Sequence, residues 1–75
     1  MFINLTIQLM ETTQDIRIDD DQIIEDGIKV LQQTGKLSAG KIPEYFYSSM
    51  SETLVSKYQT FKEANIPEGD LLRGV

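Results

Sequence analysis

Three consecutive aspartates, Asp19-Asp20-Asp21, followed closely by Glu25 and Asp26, form the densest group of metal-competent side chains in the chain. Ca²⁺ and Mg²⁺ prefer carboxylate oxygens, but a calcium loop spaces them along a turn with an internal Gly and a closing Glu. Here they are contiguous and stand just ahead of a helix-periodic segment. There, acidic side chains cap free N–H groups and complement the positive end of the helix dipole. Capping is the expected role, and no metal site is expected. The run Ser48-Ser49-Met50-Ser51 offers hydroxyls as nucleophiles. A serine needs an adjacent base, and the chain has no His, no Cys and no Gly-x-Ser-x-Gly elbow, so this run reads as a hairpin turn. With 12 Asp plus Glu, carboxylate pairs arise by chance, and the glycines are too scattered for a phosphate loop. Neither catalytic residues nor a cofactor are expected, and the chain reads as a non-enzyme.

Tyr45-Phe46-Tyr47 carries a different chemistry, that of binding. In a strand, alternation puts Tyr45 and Tyr47 on one face and Phe46 on the other. If Phe46 enters the core, the tyrosines lie on an open sheet face, and Leu71, out of phase with an inward Leu72, joins them. The reverse phase buries the tyrosines. Tyr is enriched at protein interfaces, so Tyr45, Tyr47 and Leu71 are the candidate protein-binding residues.

These groups sit in 75 residues, enough for one domain spanning 1–75 and no second core. Lys plus Arg number 7 against 12 acids, a formal net charge of −5, which repels phosphate and disfavours nucleic acid. No segment approaches the roughly 20 apolar residues that span a bilayer, and the N-terminal stretch lacks the pattern of a signal peptide. The expectation is a cytoplasmic protein without direct membrane insertion. The absence of Cys agrees with a reducing compartment.

The elements that must position the candidates follow from periodicity. Ile3, Leu5, Ile7 and Leu9 alternate with polar residues over 2–10, the pattern of a half-buried strand. Glu11-Thr12-Thr13-Gln14 suits a turn, and Asp15–Asp19 gives a second strand with Ile16 and Ile18 inward. From about Asp21 to Thr34 the period becomes helical, with Ile23, Ile24, Gly27, Ile28, Val30 and Leu31 in one arc. Gly35 provides the left-handed stop and Leu37 folds back on the last turn. Gly27, costly inside a helix by about 1 kcal/mol against Ala, implies close approach to the sheet. Residues 36–44 connect to the aromatic strand, Ser48 to Thr53 turns the chain, and Leu54–Tyr58 forms a fourth strand. Phe61–Asn65 suits one helical turn. Ile66-Pro67-Glu68-Gly69 has Pro and Gly at the second and fourth positions of a type I turn, and a last strand begins near Asp70. A helix on one face of a mixed sheet of four to five strands, an α+β arrangement, buries both apolar faces in one core.

The stretch Thr60–Leu72 resembles the corresponding part of ubiquitin-like proteins, whose fold is the β-grasp. Within it, Ile66-Pro67-Glu68-Gly69-Asp70-Leu71-Leu72 resembles the Ile-x-x-Gly-Asp-x-Leu turn of the small bacterial YukD/EsaB family. That resemblance implies a ubiquitin-like adaptor or regulator, an accessory of Gram-positive type VII secretion systems that binds a component of the apparatus. It also implies partner binding through the open sheet face. Ubiquitin and the sulfur carriers close with Gly-Gly on a mobile tail, whereas this sequence reads Leu72-Arg73-Gly74-Val75. Activation as a modifier or sulfur carrier is disfavoured accordingly. A structural subunit of another complex, such as an oxygenase, is the further alternative. Exposed sheet edges leave a homodimer open.

Overall fold

The computed structural model describes residues 1–75. Its strands are β1 (Phe2–Leu9), β2 (Thr12–Asp19), β3 (Tyr45–Ser48), β4 (Thr53–Ser56) and β5 (Leu71–Gly74), with one helix, α1 (Ile24–Gln33). They form a single five-stranded sheet in the order β2-β1-β5-β3-β4. β1 and β5 run parallel, and every other neighbour is antiparallel. α1 covers one face, and the other is open. This is the β-grasp arrangement expected from the sequence.

Alternation in β1 sends Ile3, Leu5, Ile7 and Leu9 under the helix, where all four are buried. They meet Ile24, Ile28 and Leu31 of α1 and Phe46, Val55 and Leu72 of the other strands. Phe61 and Ile66, from the connection between β4 and β5, close the end of the same core. Gly27 packs as its position implies. A methyl group there would stand 2.7 Å from Ile18 Cδ1 and 3.5 Å from the Phe61 ring. α1 ends at Gly35, φ +77, with Lys36 N–H donating to Leu31 C=O and Gly35 N–H to Gln32 C=O, a Schellman closure that buries Leu37.

Several local expectations are corrected. The β1–β2 loop is Met10-Glu11, not residues 11–14, because Thr12 and Gln14 continue the inward phase of Ile16 and Ile18. α1 begins at Ile24, with Ile23 in the N-cap position and no side-chain cap. No aspartate side chain takes that place: Ile24 N–H donates to Gln59 C=O and Glu25 N–H to Lys57 C=O, so the backbone after β4 satisfies two of the free N–H groups of the first turn. Ile23 and Val30 remain 38% and 50% exposed, since the apolar arc of α1 is wider than the sheet it covers. β4 stops at Ser56, leaving Tyr58 outside the sheet. Phe61–Asn65 does make one helical turn, with Ala64 N–H on Thr60 C=O. Thr60 and Glu63 bond each other's backbone N–H groups at 2.9 Å, a reciprocal capping box. The following turn is shifted by one residue. Asp70 N–H donates to Pro67 C=O, which places Gly69, φ +81, third, where positive φ favours glycine.

Candidate functional site

The open face is divided. On β1 and β2 it carries Asn4, Thr6, Gln8, Thr13, Asp15 and Arg17, with Phe2 as the one apolar residue, exposed at the start of β1. On β5, β3 and β4 it carries Leu71, Arg73, Tyr45, Tyr47 and Leu54. Phe46 is completely buried, which fixes the phase of β3 with the tyrosines outward. Tyr45 is 54% exposed, and Tyr47 and Leu71 are half-buried. The structure therefore brings all three candidate residues onto one face.

Three further residues join them. Leu54, 61% exposed, lies directly across from Tyr47 because Val55 takes the inward position of β4. Arg73 lies across from Tyr47 on the other side, and its guanidinium stands 5.4 Å from the ring centroid, a cation–π contact. Val75 donates its N–H to Tyr45 C=O at 3.2 Å and is largely exposed. The signal for Leu54 and Arg73 was present in alternation: each stands two residues or one hairpin pairing from a residue already placed outward. Arg73 is the one charged side chain of β3, β4 and β5. The half-face is thus apolar and aromatic around a single cation, in a chain of formal charge −5.

The remaining polar clusters are tied into the fold. Asp70 is fully buried, accepting hydrogen bonds from Ser48 Oγ and, at 2.9 Å, from Met50 N–H. This corrects the expectation that Ser48 opens the hairpin turn: it is the last residue of β3 and is buried. Lys57 Nζ lies 2.9 Å from Glu25 Oε2 and donates to Ile42 C=O at 3.3 Å. That hydrogen bond to Lys57 holds Glu25 below its ordinary pKa and lifts Lys57 above its own. No buried side-chain N or O lacks a partner. The carboxylates of Asp19, Asp20 and Asp21 gather within 4.8 Å of one another. Asp19 and Asp20 contact the Met1 ammonium at 3.3 and 3.2 Å, and Asp19 also accepts from Asp21 N–H. Asp19 and Asp20 tie the start of β1 to the end of β2, and none of the three caps α1. The largest concavity, about 450 Å³, is an open depression over β1 and β2 lined by residues such as Asn4, Thr6, Asp15 and Arg17. No helix is long and apolar enough to cross a membrane.

No protein-family model matches the chain, and no curated protein matches it. Solved structures do. A de novo designed protein based on ubiquitin is similar with TM-score 0.68 and 22% identity, over 96% of this chain and 84% of that one. The C-terminal ubiquitin-like domain of mouse tubulin-specific chaperone e is similar with TM-score 0.67 and 14% identity, over 97% and 84%. The ubiquitin-like domain of an Arabidopsis thaliana protein gives TM-score 0.67 and 14% identity, over 99% and 76%. At these identities the likeness is one of fold: this chain has a ubiquitin-like β-grasp fold.

Proposed function

We infer that this ubiquitin-like domain is a non-catalytic, protein-binding adaptor or regulator acting in the cytoplasm, and that its partner is a component of a type VII secretion apparatus. The observation that carries the binding role is the one-sided concentration of Tyr45, Tyr47, Leu54 and Leu71 around Arg73 on a sheet face left uncovered. Aromatic residues and Arg are the side chains most enriched where binding energy concentrates. The secretion link rests on the resemblance of Ile66–Leu72 to the YukD/EsaB turn. A carrier role is opposed by Gly74, which is a residue of β5 opposite Phe46, close against Leu9 and Pro43. Presenting it to an activating enzyme would require stripping β5 from the sheet.

Pull-down with the immobilised chain from a Gram-positive lysate should recover a secretion component. The Tyr45→Ser/Tyr47→Ser variant should bind that component at least about tenfold more weakly, with an unchanged circular dichroism spectrum. Recovery without any secretion protein would remove the secretion link, and undiminished binding by the variant would remove the site.

A further inference from the structure

β2 is an edge strand of eight residues, twice the length of β4 on the opposite edge. Its loop to β1 is the two-residue Met10-Glu11, and Asp20 N–H donates to Met1 C=O at the far end of the same ladder. In an antiparallel pair, bonded and non-bonded positions alternate, so the even-numbered residues of β2 turn their backbone toward β1. Thr13, Asp15 and Arg17 turn theirs outward, onto an edge that no other strand covers, where Asp15 C=O accepts from Gln14 Nε2 at 3.1 Å, a local bond that a pairing strand must share or displace.

The side chains of that edge are unfinished on both faces. On the helix side, Ile16 and Ile18 are only half-buried, and with Gly27, Val30 and Leu31 they line an open groove of about 210 Å³. On the open face, Asp15 and Arg17 are exposed, and β1 beside them carries no charged residue. Asp15 accepts from Thr6 Oγ1 at 2.6 Å, and Arg17 stacks 5.2 Å from the Phe2 ring. Neither has an ion-pair partner within its own chain.

We propose that the β2 edge pairs with the β2 edge of a second copy, antiparallel about a two-fold axis through Ile16, giving a dimer with a continuous ten-stranded sheet. The strand is its own complement in this register. Asp15 meets Arg17 of the second copy, Arg17 meets its Asp15, and Ile16 faces Ile16 across the axis. The backbone phase agrees, because Asp15 and Arg17 are the outward-bonding positions. Shifting by two residues either way, the step that keeps the faces aligned, brings Arg17 onto Arg17 and Asp15 onto Asp19, or Asp15 onto Asp15. Like charges directly opposite are destabilising, so the charges favour this register over its two nearest neighbours, and it pairs more of the strand than registers displaced by four, which overlap over fewer residues. Ile16 of the second copy covers the end of the groove that α1 leaves open. With the axis perpendicular to the sheet, both aromatic half-faces point the same way at the two outer ends.

Sedimentation velocity on the full chain over a concentration series tests this. The wild-type mass should double as concentration rises. Asp15→Arg and Arg17→Asp should each weaken self-association at least about tenfold, since each places like charges opposite twice. An equimolar mixture of the two variants should regain the dimer, as should the double variant carrying both changes. Tyr45→Ser/Tyr47→Ser should dimerise like wild type, which separates this edge from the partner-binding face. A wild-type chain that stays monomeric, including one that instead takes an unrelated extended peptide along β2, would overturn the proposal. Single variants that dimerise normally, or a mixture that does not recover, would do the same.

Discussion

Asp70 shows how a single side chain can hold two turns in place. It follows Gly69, immediately precedes β5, and reaches across to Ser48 and Met50 at the start of the β3–β4 turn. Its burial is tolerated because both oxygens have donors. In Asp70→Ala the buried Ser48 hydroxyl loses its acceptor, at a cost of about 1–3 kcal/mol, and the part-buried Met50 N–H loses its own. Urea denaturation should show a lower midpoint with an unchanged slope. A midpoint equal to wild type would mean that water replaces the carboxylate at no cost. The Ile-x-x-Gly-Asp spacing was visible in the sequence, but the partner of the Asp was not, because a hydrogen bond spanning 22 positions leaves no periodic trace.

At the level of elements, the strands and the helix were legible because each has an uninterrupted apolar phase: Ile3 to Leu9 at period two, Ile24 to Leu31 at the helical period. What periodicity did not contain was the contribution of distant backbone. The acidic run before α1 looks like a cap, yet the carbonyls of Gln59 and Lys57 occupy that position and the aspartates serve elsewhere. The aromatic face proposed for binding was legible in part, through Tyr45, Tyr47 and Leu71, whereas Arg73 needed the β3–β5 register to place it beside Tyr47. Gly27 is the point where helix and sheet geometry meet. Gly27→Ala gains helix propensity of about 1 kcal/mol but drives a methyl group against Ile18 Cδ1, so the two effects should nearly cancel. Removing that atom first, in Ile18→Val, should release the gain, so that adding Gly27→Ala to the Ile18→Val variant stabilises it by up to about 1 kcal/mol. A thermal-denaturation cycle over the four proteins measures this coupling, and strict additivity would show that the close contact has no energetic weight.

For the whole molecule, an ion pair and a backbone-bonded carboxylate make stability depend on pH in a defined direction. The hydrogen bond from Lys57 lowers Glu25 below 4.5, and the Asn4 backbone N–H lowers Glu68 below the same ordinary value. Each carboxylate therefore contributes stability that is present above about pH 4.5 and is lost as pH falls through its lower folded value. Lys57, raised above 10.5 by Glu25, contributes stability that is complete below 10.5 and is lost as pH rises through its folded value. Denaturation midpoints should fall off in acid, and Glu25→Gln/Glu68→Gln should flatten that limb while leaving the neutral plateau shallower. An acid limb identical in the double variant would assign it to other carboxylates. The sheet order has a consequence for synthesis. β5, residues 71–74, is the central strand, with β1 and β2 on one side and β3 and β4 on the other. Until those residues clear the ribosome, the emerging chain holds two separate hairpins whose apolar faces have no strand to join them. Productive folding must await the central strand, and the apolar faces of both hairpins stay uncovered throughout that interval.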